Sequence, residues 1–166
     1  MLENDRTQPK LPAAGTIQSL SGIDSGGWFE YLVRVSPHHT DYSGAVWHGT
    51  YVSWMEEARV ESLRSIGIEY ADWVAQGWEL PVVELSLRYH RAPKMGQSVA
   101  VKTRMTASEG VRLVWDYEMR SADGEELYAT AQVILVAVDG EKGKIIRQLP
   151  PMLKDAFAKL AIKPLL

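Results

Sequence analysis

The chain contains no cysteine. That excludes disulfide scaffolds, cysteine-ligated zinc or iron–sulfur centres and a thiol nucleophile, and it fits a cytoplasmic setting. No apolar run approaches the roughly 20 residues that a bilayer-spanning helix needs, and acidic and polar residues stand where a signal peptide would place its apolar core. Neither a membrane span nor export is therefore expected. Charge of one sign is also scarce: 18 Lys+Arg face 21 Asp+Glu for a net charge of −3, too little basic excess for nucleic acid as the main partner. What is present is an ordinary globular composition of 166 residues, 46% hydrophobic. A domain of about 150 residues buries roughly 70% of the surface its unfolded chain exposes, enough for one core and not for two large domains. The charge is segregated, because residues 88–112 hold six basic residues (Arg88, Arg91, Lys94, Lys102, Arg104 and Arg112) against one acid, Glu109.

Residues 1–27, rich in Pro, Gly, Ser and Gln, show neither helical nor alternating periodicity, and a flexible tail is expected there, followed by a single domain over 28–166. Phe29, Tyr31, Val33 and Val35 alternate with polar residues as in a half-buried strand. After a turn-rich stretch the period becomes helical. Trp47, Tyr51, Trp54, Met55, Ala58, Ser62, Leu63 and Ile66 form one apolar stripe, with Gly67 placed to stop the helix. A shorter helix is expected over residues 69–76. Alternating runs from Val83 to His90, Val99 to Met105, Val111 to Met119 and Leu127 to Val138 then read as antiparallel sheet, with Asp123-Gly124 as a hairpin turn. A short strand within 144–149 and a helix over 151–160 close the chain. One apolar helix against a curved antiparallel sheet is an α+β layer design.

The stretch from Asp41 to Tyr51 carries the chemistry. It sets a carboxylate in a loop just ahead of a helix whose first free N–H groups are expected near His48, Gly49 and Thr50. A helix start offers unpaired donors and partial positive charge, which suits a developing oxyanion. A carboxylate beside such donors is the minimum set for hydrolysing an activated acyl group such as a thioester. On spacing alone, an Asp at this place is more often a cap or turn residue.

The segment from Val35 to Gly67, with Asp41, Gly44, Val46, His48, Tyr51 and Glu56-Glu57-Ala58-Arg59, resembles the hotdog-fold acyl-CoA thioesterases of the 4-hydroxybenzoyl-CoA thioesterase type, including the group associated with the Tol-Pal system. The resemblance continues through Leu80-Pro81-Val82-Val83, Tyr89-His90-Arg91-Ala92-Pro93 and Pro150-Pro151. It implies a long helix wrapped by a five- to six-stranded antiparallel sheet, assembly into homodimers or homotetramers with the pocket between subunits, and hydrolysis of an acyl-CoA to free acid and CoA. It implies Asp41 as nucleophile or general base and the His48 backbone N–H as the group that polarises the thioester carbonyl; Gly49, beside it at the helix start, and Tyr51 are read as further catalytic and substrate-binding candidates. The acyl group stays open among short aliphatic, branched and aromatic. No cofactor is implied.

Other residues are read beside these. Arg88, Arg91 and Lys94 are candidates to meet CoA phosphates, against the plainer reading of a solvated sheet face. His38, His39 and Asp41 are close in sequence, but adjacent residues on an extended segment point to opposite faces, so no metal site is expected. Glu56 with Arg59, and Glu61 with Arg64, have the i, i+3 spacing of a charged helical face. Ser43 is read as a turn residue, since no nucleophile elbow surrounds it. Trp47 and Trp54 are read as packing residues, whereas Trp73 and Trp78 lie in the connection that would cover an acyl pocket. The alternative to an enzyme is an acyl-CoA-binding or regulatory module of the same fold; a hydratase would need a His and carboxylate pairing that has no clear match.

Overall fold

The computed structural model describes residues 22–160, apart from the side chains of residues 107–109. Residues 1–21 of the expected tail lie outside the described residues. The alternating Phe29–Arg34 run forms strand β1, with Phe29 and Tyr31 buried. Helix α1 spans Thr50–Ser65, α2 spans Tyr70–Ala75 and α3 spans Pro151–Leu160. The remaining strands are β2 (Trp78–Glu79), β3 (Val82–Tyr89), β4 (Ser98–Glu109), β5 (Arg112–Ser121), β6 (Leu127–Val136), β7 (Val138–Asp139) and β8 (Lys144–Ile145). Five of them form one antiparallel sheet in the order β1-β4-β5-β6-β3, and β2-β7-β8 form a small second one. This is the expected α+β arrangement of a long helix packed on an antiparallel sheet. Among the described residues no helix is long and apolar enough to cross a membrane.

The helical stripe buries Tyr51, Trp54, Met55, Ala58, Ser62 and Leu63 on the side of α1 that meets β1 and β4, each large apolar side chain contributing about 1.5–3 kcal/mol. Trp47 departs from the expectation. The helix begins three residues after it, so its direction is set by a turn rather than by helical period, and it is 49% exposed. Arg59 also departs, because it lies in the buried stripe and not on a solvated face. Its guanidinium is paired with Glu56 and reaches the Tyr117 hydroxyl at 3.3 Å, the partners that a buried charge requires. The Glu61–Arg64 pair does sit on the surface and extends to Glu69 at 3.0 Å. Trp73 is a core residue whose ring meets Phe157 edge-on at 5.7 Å, so it joins α2 to α3.

Residues 37–39 form a single turn of 3-10 helix where an extended segment was expected. Pro37 starts it, and the His39 Nδ1 accepts from the Ser36 amide at 3.0 Å. The two histidine rings therefore lie 4.0 Å apart and not on opposite faces.

Candidate active site

The loop between this turn and α1 is tied at both ends. The His39 carbonyl accepts from the Trp47 amide and from the Thr50 hydroxyl, both at 2.9 Å. Thr40 faces Val46, and Ala45 faces Lys94, in isolated β-bridges. Within this frame Asp41 is the corner of a tight turn: its amide donates to the Ala45 carbonyl at 2.8 Å, and Gly44 follows with φ of 79°, a conformation that suits glycine.

Asp41 is exposed, and its Oδ1 accepts from the Ser43 hydroxyl at 2.6 Å and the Ser43 amide at 2.8 Å. These bonds, the hydroxyl foremost, hold the carboxyl below the ordinary aspartate range, with the nearby His48 adding to the effect. Ser43 is thus more than a turn residue, because its two bonds stabilise the Asp41 carboxylate. Both bonds land on Oδ1, which leaves Oδ2 for other chemistry.

At the start of α1, the Trp47 carbonyl accepts from Thr50 N at 2.9 Å and the Gly49 carbonyl from Val52 N at 3.2 Å. Among the described residues the amides of His48 and Gly49 have no acceptor. A Cβ at Gly49 would stand 2.1 Å from the Trp47 ring, so that half-exposed ring would have to shift to admit one. Beside these donors lies a groove of about 270 Å³ lined by Val46, His48, Tyr51, Tyr89, His90, Arg91 and Ala92. Tyr51 forms its floor, buried and packed edge-on against Tyr89 at 5.0 Å. Burial raises its phenol to about 12, so it stays neutral.

The expected site residues are therefore partly assembled. His48, Tyr51 and Arg91 line the groove, Gly49 does not, and the loop that carries Asp41 is bridged to Val46, itself a lining residue, through Thr40 and to Lys94 through Ala45. Arg91 is also paired with Glu126 at 3.1 Å. Arg88 lies elsewhere, in a shallow depression on the outer sheet face with Trp28, Arg104 and Gln132. Trp73 and Trp78 do not line the groove. The residue that sequence reasoning missed is Tyr89, whose hydroxyl donates to the His48 carbonyl at 2.6 Å. Nothing in its neighbourhood signals that bond, since the partners are 41 residues apart.

Comparison with known proteins agrees with this architecture. Residues 35–158 match the thioesterase-like superfamily. A Synechocystis protein named as an esterase is 52% identical over 133 residues, covering 80% of each chain. The Escherichia coli acyl-CoA thioester hydrolase YbgC is 30% identical over 129 residues, covering 78% of this chain and 95% of its own. The crystal structure of the Staphylococcus aureus DHNA-CoA thioesterase superposes with a TM-score of 0.74 at 29% identity, covering 80% of this chain and 90% of that one.

Proposed function

Because the chain belongs to the thioesterase-like superfamily and is an acyl-CoA thioesterase of the hotdog fold, we propose that hydrolysis takes place where the Asp41 loop meets the start of α1. The Asp41 carboxylate either attacks the thioester carbon itself, leaving after loss of the thiolate a mixed anhydride that water hydrolyses to the free acid and the restored carboxylate, or takes a proton from a water whose oxygen attacks that carbon and becomes part of the acid. The carbonyl oxygen becomes an oxyanion and is held by the His48 and Gly49 amides, where the partial positive charge of the helix start assists. Collapse of the tetrahedral species breaks the C–S bond, and CoA leaves as a thiolate that takes up a proton. The acyl group lies in the groove over Tyr51, and Arg91 and Lys94 are placed to meet CoA phosphates.

The observation that carries this reading is an ionised, exposed carboxylate on the loop that leads into two unpartnered amides. Asp41→Asn is expected to lower CoA release by about 10²- to 10⁴-fold with an unchanged melting temperature, the range for loss of a general base. Full activity in that variant sinks the assignment. Acyl-CoA binding by the wild-type protein with no CoA released from a panel of aliphatic and aromatic thioesters sustains the binding-module alternative instead.

Two features support a homodimer that completes the groove. Among the described residues strand β3 is an edge strand, paired only with β6, and its Val82, Val83, Leu85 and Tyr89 are all more than 40% exposed. A bare apolar edge of this kind invites pairing with a second copy, which would close the groove alongside Tyr89. A CoA substrate and a cysteine-free composition fit a cytoplasmic enzyme.

A further inference from the structure

A phenol packed inside a protein usually finds a hydrogen-bond partner there. Four other tyrosines have one: Tyr31 donates to the Glu57 carboxylate at 2.8 Å, Tyr89 donates to the His48 carbonyl at 2.6 Å, and Tyr70 and Tyr117 accept from the Leu80 amide and the Arg59 guanidinium, each at 3.3 Å. Tyr51 is 2% exposed, and among the described residues its hydroxyl has none. That hydroxyl is not sealed off either. Among the described residues the side-chain polar atoms that are both solvent-excluded and unpartnered are Trp54 Nε1, Thr103 Oγ1 and Arg104 Nε. The Tyr51 oxygen therefore keeps an opening, and the groove that Tyr51 lines supplies it. Tyr128 is also buried and unpartnered among the described residues, but it does not line that groove.

We propose that the Tyr51 hydroxyl is a specificity-determining group: it hydrogen-bonds an oxygen carried on the acyl group, so that a hydroxylated acyl-CoA is favoured over the hydrocarbon acyl-CoA of the same skeleton. The proposal rests on the reading of this groove as the acyl site and names the contact that selects within it.

The group is held in place before any ligand arrives. The Tyr51 ring packs against Trp54 at 5.8 Å and edge-on against Tyr89 at 5.0 Å, and its backbone belongs to the first turn of α1. A ring clamped in this way does not swing its hydroxyl toward another partner. Burial keeps the phenol protonated at neutral pH, so it donates to a hydroxyl or oxo oxygen and also accepts from a hydroxyl. The neighbouring walls include Val46, Ala92 and the Tyr89 ring, an apolar surround in which one polar group carries much of the orientation. In the absence of ligand, water satisfies the hydroxyl. A hydrocarbon acyl group displaces that water and replaces none of its bonds, whereas an acyl oxygen takes the bond over.

The test pairs substrates that differ by one oxygen: benzoyl-CoA against its ortho-, meta- and para-hydroxy forms, and butyryl-CoA against its beta-hydroxy form. CoA release should give wild-type protein a higher kcat/KM for at least one hydroxylated member than for its parent. In Tyr51→Phe the ratio within that pair should fall about three- to tenfold, the range for one neutral hydrogen bond. A ring that serves packing alone would affect both members alike. Two results overturn the proposal: a wild-type protein that turns over no hydroxylated member faster than its parent, or a variant whose ratio is unchanged. If Tyr51→Phe does not fold, the wild-type pairs decide, with a parent favoured throughout overturning the proposal and a hydroxylated member favoured upholding it. If wild-type protein releases no CoA from any thioester, the hydrolase reading fails separately. Binding of the same pairs as inert thioethers, with a methylene in place of the carbonyl, then decides the role of Tyr51 by the same ratio.

Discussion

At Asp41 the chemistry is set by a neighbour two residues away. The Ser43 hydroxyl and amide stabilise the carboxylate and lower its proton affinity. Ser43→Ala removes the hydroxyl and keeps the amide bond, so the Asp41 carboxyl should rise toward its ordinary value. The acid limb of the kcat/KM profile should then move to higher pH, as a pH–rate series will show. An acid limb that does not move would detach it from Asp41. The turn at Asp41 and Ser43 and the helix start after His48 were legible in the sequence because they are local, whereas the bond from the Ser43 hydroxyl to Asp41 was not read from it. Tyr89 was not, because the His48–Tyr89 bond depends on where β3 comes to lie relative to α1. The read of Tyr89 as one more alternating apolar residue of a strand was correct for its backbone and silent about its hydroxyl.

Among the elements, the 3-10 turn over residues 37–39 couples the fold to pH. His39 is held below its ordinary value by burial, with His38 adding to the effect. Its Nδ1 must stay unprotonated to accept from Ser36. The unfolded chain therefore binds the proton more readily than the folded one. The stability from this site is complete above the unfolded value of about 6.5 and is lost as pH falls below it toward the depressed folded value. His39→Asn keeps an acceptor for the Ser36 amide and removes the titration. Its melting temperature should fall less than that of wild type between about pH 8 and about pH 5.5, the span in which histidine changes charge. In α1 the apolar stripe bears on β1 and β4. Leu63→Ala is expected to cost about 2–5 kcal/mol in urea denaturation, the range for a truncated buried leucine. Arg59 shows the limit of pattern reading within an element: its i, i+3 pairing with Glu56 was legible, and its burial was not, because the Tyr117 hydroxyl that receives it comes from β5.

For the molecule as a whole, the sheet is wider than the helix that covers it. Helix α1 bears on β1 and β4 at one side, and β3 at the other edge is left with Val83 55% and Leu85 42% exposed. If a second copy pairs there, Leu85→Arg should shift the protein to monomer in sedimentation and lower its activity without unfolding it. A wild-type protein that is monomeric and fully active would remove the case for a shared groove. The segregated positive charge also divides at this scale. Arg88 belongs to the outer face with Trp28 and Arg104, whereas Arg91 stands at the groove. Arg88 is on β3, whereas Arg91 lies two residues beyond the end of that strand, so proximity in sequence did not make them one patch.

The sequence by itself determined the α+β layering, the helix stripe from Tyr51 to Leu63, the Asp123-Gly124 hairpin and the carboxylate ahead of a helix start. Each is written in residues a few positions apart, as a period of 3.6 or 2 or as turn chemistry, and neighbours in sequence are enough to specify it. Only the tertiary structure decided that Trp47 leaves the core, that Arg59 enters it, that Trp73 packs against Phe157 rather than over the groove, and that the Tyr89 hydroxyl meets the His48 carbonyl. These depend on strand register and on which faces meet across the sheet. Burial and hydrogen bonds between distant residues exist only once the layers have closed on one another.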